Sequence, residues 1–342
     1  MTTDAAVTRT VITRPHSNIG AWTMAARPRT LSLSTAPVIV GSSLAWASSG
    51  RIHWPAVVAA FIASMFIQLG TNLHNDAADS WRGGDGPDRI GPPRATASGM
   101  LDGRAVTRAA CGCFALAALV GMYLIWFGGW PIFWLGIASI LSGWAYTGGP
   151  LPIAYTPLGE IFVIAFFGVG AVGGTYWLCA EALPPIAIEA GFAVGLFTGA
   201  VLLVNNHRDA EADARVGRRT LAIITGPVVT TWIYALLMLS PFILLLPLAQ
   251  ALPRSHPWLA FLVLPLAVFL IYKFAREPRD RGFNRILVQT VLVQALFSAL
   301  LALGLIFIKS DVAMTALSKP SPDCALGISD LKLLCFCGMF WS

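Results

Sequence analysis

From residue 31 to residue 308, long apolar runs alternate with short breaks rich in polar residues, glycine and proline. A helix rises about 1.5 Å per residue, so about 20 apolar residues cross the hydrocarbon core of a bilayer. On that rule the runs predict nine helices, at roughly 31–48, 54–76, 105–126, 130–147, 158–179, 185–206, 226–249, 257–275 and 286–308. Gly128-Gly129-Trp130-Pro131, Gly148-Gly149-Pro150 and Leu183-Pro184-Pro185 read as the turns between them. The chain therefore divides into a disordered N-terminal segment at 1–20, a transmembrane domain at 21–308 and a C-terminal tail at 309–342 with no assigned role. In the tail, 310–330 is polar and 333–341 is too short to cross.

Composition agrees with this reading. Of the 342 residues, 56% are hydrophobic and only 12% charged, against about 25% charged in an average soluble chain. An all-α integral membrane protein is expected. The net charge of +6 does not point to nucleic acid, because the basic residues lie in loops between apolar helices. Eighteen of the 23 Lys and Arg residues fall on one side of the predicted topology, which makes that face cytoplasmic. An odd number of spans then puts the C-terminus outside. The first thirty residues lack a secretory apolar core, so no cleaved signal is expected. Six cysteines, among them Cys111, Cys113 and Cys179, form no convincing metal or disulfide framework.

Two polar clusters interrupt the apolar pattern at helix ends. The first is Asn72-Leu73-His74-Asn75-Asp76-Ala77-Ala78-Asp79, followed by Asp85, Asp88, Arg89 and Arg94. The second, 130 residues on from Asn75, is Asn205-Asn206-His207-Arg208-Asp209-Ala210-Glu211-Ala212-Asp213. Residues three or four apart share a helix face, so Asn75 pairs with Asp79, and Asn205, Asp209 and Asp213 make one stripe. Crowded carboxylates repel one another, and a divalent cation relieves that conflict. Ligands that are all oxygen suit magnesium, above all when a phosphate completes its shell. A lone Asp-x-x-Asp reads as a solvated loop. Two matched, asparagine-led clusters, each tied to arginines and both opening to the same compartment, read as the two jaws of a magnesium–diphosphate site. Such a repeat brings them together across a central cavity. His53 and His256, in predicted outer loops, read as structural.

These residues resemble the UbiA-type membrane prenyltransferases, and within them most the 1,4-dihydroxy-2-naphthoate polyprenyltransferases of menaquinone synthesis. Besides the two clusters, the resemblance rests on Ala26-Arg27-Pro28-Arg29-Thr30-Leu31, Asp88-Arg89-Ile90-Gly91-Pro92-Pro93-Arg94, Tyr146-Thr147-Gly148-Gly149-Pro150, Leu158-Gly159-Glu160-Ile161-Phe162 and Gly217-Arg218-Arg219-Thr220-Leu221-Ala222. It covers about residues 20–308. It implies about nine transmembrane helices around a cavity, dependence on Mg2+, and transfer of an isoprenoid chain from polyprenyl diphosphate to an aromatic acceptor. For 1,4-dihydroxy-2-naphthoate, attack at the carboxylated carbon and loss of CO2 give the demethylmenaquinone skeleton. Three features depart from the family pattern: His74 and His207 stand where apolar or aromatic residues are usual, and Arg218 stands where lysine is usual.

On this reading Asn75, Asp76, Asp79, Asn205, Asp209 and Asp213 hold the metal. Asn75, Asp88, Arg89, Asn205, Arg208 and Arg218 bind the diphosphate. Asp79, Asp209, Asp213 and Tyr146 are catalytic. Trp144, Tyr146, Phe162 and Phe166 are candidate walls for an allylic cation, since aromatic faces stabilise cations, with packing the plainer role for most. Glu160 opens a helix, where a carboxylate suits the dipole, and a structural role is expected for it. The expected location is a bacterial inner membrane with the site facing the cytoplasm. Alternatives keep the fold and change the acceptor to 4-hydroxybenzoate, homogentisate, a porphyrin or a glycerol phosphate, or make the chain an ion-coupled transporter or a lipid-binding scaffold.

Overall fold

The computed structural model describes residues 18–83 and 89–307. Asp85, Asp88, most of the N-terminal segment and the C-terminal tail lie outside them. The described residues form helices α1 (Asn18–Ala26), α2 (Ser32–Ser49), α3 (Trp54–Trp81), α4 (Gly103–Ala145), α5 (Gly159–Ala180), α6 (Pro185–Arg215), α7 (Leu221–Ala251), α8 (Pro257–Arg276) and α9 (Phe283–Ile306). Seven of these are long and apolar enough to cross a membrane, and α1 with α2, bent by 40°, makes an eighth.

Helix α4 accounts for one more. Its 43 residues would extend about 65 Å if straight, roughly twice a bilayer core. Instead Gly129 adopts φ 62 and ψ −152, a conformation open to glycine, and Pro131 follows. The chain doubles back there: a Cβ placed on Gly143 would lie 3.3 Å from Phe114. The Gly-Gly-Trp-Pro break is therefore a hairpin between two spans, giving nine among the described residues.

Helices α3 and α6 run past their predicted apolar ends to Trp81 and Arg215. Their polar turns are buried against protein, and Asn72 to Asp79 is buried throughout. The largest core packs α2 and α5 to α9 around Phe197, Tyr234, Phe274 and Phe297. Helices α3 and α4 form smaller cores of their own.

Helices α5 and α6 approach along glycines. A Cβ on Gly168 would meet Gly195 Cα at 2.6 Å, and one on Gly199 would meet Ile164 at 3.1 Å. Gly191, Gly195 and Gly199 lie four apart on α6, the small-residue spacing that lets membrane helices touch backbone to backbone. A π-helical turn at Ala165–Gly170 bulges α5 at this contact. One further step along this antiparallel register brings Glu160 against Asn206.

Candidate active site

The two polar clusters meet. Asp79, near the end of α3, takes Arg94 Nη2 on Oδ2 at 2.9 Å and Arg218 Nη2 on Oδ1 at 2.7 Å. The other terminal nitrogen of Arg218 reaches Asp213 Oδ1 on α6 at 3.2 Å. One planar guanidinium therefore bridges the first cluster to the second, a use of its fork that a lysine cannot match. Local geometry delivers it. Gly217 has φ 80, and the amides of Val216 and Arg218 both turn back to the Asp213 carbonyl, the glycine-ended helix stop. Burial works to lower the Arg218 pKa, but Asp79 and Asp213 outweigh it and keep the group charged. Its guanidinium also lies over the Tyr155 ring, 4.7 Å from the centroid.

On α6, Arg208 folds along its own helix. It donates from Nε and Nη2 to the two Asp209 oxygens at 2.8 and 2.5 Å, and from Nη2 to Asn205 Oδ1 at 2.9 Å. Its Nη1 donates to Asn284 Oδ1 at 2.8 Å, and Asn284 Nδ2 donates to the Ile90 carbonyl at 3.2 Å. The loop behind α3 is thereby tied to α6 and α9. Gly91 is wedged between two arginines: a Cβ there would lie 2.6 Å from Arg208 Nη2 and 3.3 Å from Arg89 Nη2. Arg89 donates from Nε to the Pro92 carbonyl at 3.0 Å.

Asn75 accepts from Thr147 Oγ1 at 2.6 Å, and Arg82 donates to the Thr147 and Gly149 carbonyls. The Tyr-Thr-Gly-Gly-Pro turn is thus pinned onto the first cluster. Asp76, expected among the metal ligands, meets backbone amides rather than arginine. Its two oxygens accept from the amides of Thr96 and Ala95 at 2.8 and 3.2 Å, so it caps the loop that carries Arg94. That follows from its place on α3, one residue round from the Asn75–Asp79 face.

Tyr146 follows α4 directly. Burial raises its phenol pKa, and Glu160 and Asp79 add to this while Arg218 opposes it. The ring lines an apolar cavity of about 350 Å³ that also touches Thr71, Phe162, Phe166, Phe167 and Leu178. Met122 and Ile137 line it too and are exposed on the outer surface of the helices. Phe162 and Phe166 stack in its wall, centroids 6.1 Å apart, while Trp144 instead stacks on His74 at 5.8 Å. His207 packs against Phe274 and Phe283. His53 caps α3, accepting from the Ala56 amide at 3.2 Å, the structural task expected of it. Cys111, Cys113 and Cys179 are free thiols.

Asn75, Asp79, Asn205, Asp209 and Asp213 offer oxygen only, the donor chemistry magnesium takes. Among the described residues no three His, Cys, Asp or Glu side chains converge into a ready-made cage, because arginines occupy the carboxylates. Asp213 Oδ2 is buried without a hydrogen-bond partner among them. Magnesium is commonly held by one or two carboxylates plus substrate phosphate, so the residues fit it. Sequence reasoning gave no site role to Thr147, Tyr155, Asn206 or Asn284, and named Arg94 only as part of the first cluster. Thr147 and Asn206 lie within the quoted strings; Tyr155 and Asn284 carried no local signal.

An all-helical membrane bundle with two acidic clusters bridged by arginine beside an apolar cavity defines a class that handles an anionic head and a lipid tail together. The chain belongs to the UbiA prenyltransferase family, whose model matches residues 34–288. It is 35% identical over 300 residues to the 1,4-dihydroxy-2-naphthoate octaprenyltransferase of Escherichia coli (strain K12), covering 84% of this chain and 96% of that one. It is also 35% identical over 232 residues to the enzyme of the same name from Mycobacterium tuberculosis, covering 68% and 79%. The fold matches a UbiA homolog from Archaeoglobus fulgidus bound to DMAPP and Mg2+, with a TM-score of 0.60 at 15% identity over 84% of this chain and 99% of that one.

Proposed function

We propose that this chain transfers a polyprenyl chain from its diphosphate to 1,4-dihydroxy-2-naphthoate, with loss of CO2, to give the demethylmenaquinone skeleton. The observation that carries the reading is the Arg218 guanidinium bound to Asp79 and Asp213 at once, which brings the two acidic clusters together. The named activity of the relatives supplies the acceptor.

Asp79, Asn75, Asp209, Asp213 and Asn205 would hold magnesium, as the Archaeoglobus homologue's bound Mg2+ suggests. When bound, the metal supplies Lewis-acid stabilisation of the leaving diphosphate. Arg89, Arg208 and Arg218 donate to the diphosphate oxygens as charge develops on them. The cavity holds the prenyl tail and opens to lipid past Met122 and Ile137. Tyr146, Phe162 and Phe166 keep water from the allylic carbon and present aromatic faces to it. Tyr146 acts as a neutral phenol. The distribution of lysine and arginine supports a site at the cytoplasmic face, and the bacterial relatives support an inner-membrane location.

The test is a transfer assay in membranes, pairing polyprenyl diphosphates with dihydroxynaphthoate and with 4-hydroxybenzoate and homogentisate. Prenylated, decarboxylated product from dihydroxynaphthoate, lost on chelation of magnesium, is the expected result. Transfer to another acceptor but not to dihydroxynaphthoate overturns the reading.

A further inference from the structure

Glu160 is the second residue of α5, yet it is only 3% exposed. Favourable placement at a helix start explains a carboxylate at the surface; it does not explain one taken out of water, which is costly unless each oxygen is satisfied. Only one is. Oε1 accepts from Asn206 Nδ2 at 2.8 Å, whereas Oε2 is buried with no hydrogen-bond partner among the described residues.

Its position matters as much as its state. Val163 and Phe167 share the face of Glu160 on α5, and both line the apolar cavity. A Cβ on the adjacent Gly159 would lie 3.9 Å from the hydroxyl of Tyr146, which lines that cavity, so the first turn of α5, with Glu160 on it, lies beside the Tyr146 end of the cavity. The glycine contact between α5 and α6 holds it there, through Asn206, next in the chain to Asn205.

Building on the proposed prenyl transfer, we propose that Glu160 is a catalytic residue for the aromatic acceptor: Oε2 takes the proton of the ring hydroxyl next to the carboxylated carbon and later returns it. As the allylic C–O bond breaks, its electron pair leaves with diphosphate. The enol pair of the acceptor forms the new C–C bond at the carboxylated carbon, the hydroxyl becomes a carbonyl, and its proton passes to Oε2. The C–CO2 bond then breaks, its electron pair returns the carbonyl to an enolate oxygen, and Oε2 gives the proton back. No proton is gained or lost overall. A carboxylate sealed from water suffices for such a closed exchange.

The test compares wild type with Glu160→Gln and Glu160→Asp, measuring transfer to dihydroxynaphthoate and magnesium-dependent binding of farnesyl diphosphate. General acid–base groups contribute about 10²–10⁴-fold, so Glu160→Gln is expected to lower kcat at least ~100-fold. Its affinity for farnesyl diphosphate stays that of wild type, and Glu160→Asp recovers part of the rate. A Glu160→Gln variant that transfers at the wild-type rate overturns the role. So does one that loses diphosphate binding together with transfer, because the residue then only shapes the site. A wild type inactive with dihydroxynaphthoate overturns the functional reading and this role with it; an active wild type beside an active Glu160→Gln variant overturns the role alone.

Discussion

Asp76 and Asp79 are three residues apart and both buried, but their partners assign them different work. Asp79 faces Arg94 and Arg218; Asp76 holds the amides of Ala95 and Thr96. Asp79→Asn is expected to cut transfer about 10²–10³-fold, the usual cost of losing one transition-state electrostatic contact, and to raise the magnesium requirement. Asp76→Asn leaves the magnesium requirement unchanged and costs about 1.5–3 kcal/mol of stability, the worth of a hydrogen bond to a charged group. Magnesium titrations of activity and thermal unfolding in detergent separate the two. Arg218→Met takes the Arg218 partner from buried Asp213 and leaves Asp79 with Arg94, and removing one partner of a buried pair costs about 3–5 kcal/mol. The unfolding temperature should fall, and magnesium with a prenyl diphosphate should restore part of it. Both clusters were legible because Asn-x-x-x-Asp occurs twice at the end of an apolar run. The division of labour within the first was not, since helix spacing tells which residues share a face and not which loop amides will meet them.

The helices show the same split. Nine apolar runs were legible as spans from length, and so was the break at Gly128-Gly129-Trp130-Pro131 inside α4. The extra turns of α3 and α6 were not legible. Polar residues end an apolar run in sequence, but a helix continues wherever its polar groups find partners, as Asp209 does with Arg208. The glycine contact of α5 with α6 was also silent, because which glycines meet depends on the register of two helices. It can be tested by Gly168→Ala, whose Cβ would lie 2.6 Å from the Gly195 backbone. Overpacking of this kind costs about 1–3 kcal/mol. The expected outcome is a lower unfolding temperature together with reduced transfer to the acceptor, since Glu160 and Asn206 lie at the end of the same contact.

Taken whole, the molecule pairs a charged mouth with an apolar interior. Two glycines in the cavity lining, Gly121 and Gly136, face open space, with nothing within 4 Å of a Cβ built on either. Gly136→Phe is expected to shorten the prenyl chain the enzyme accepts, shifting the kcat/KM preference toward shorter diphosphates in competition assays while leaving magnesium dependence alone. The arrangement also argues against ion-coupled transport. The acids stand at the ends of α3 and α6 and are matched to arginines; transport would call for them on broken helices at mid-depth. The Arg218 bridge has one more consequence, for biogenesis. Asp79 and Asp213 are offset by two of the chain's own cations, Arg94 and Arg218, so closing the bundle in the lipid does not have to wait for a metal or substrate to screen them.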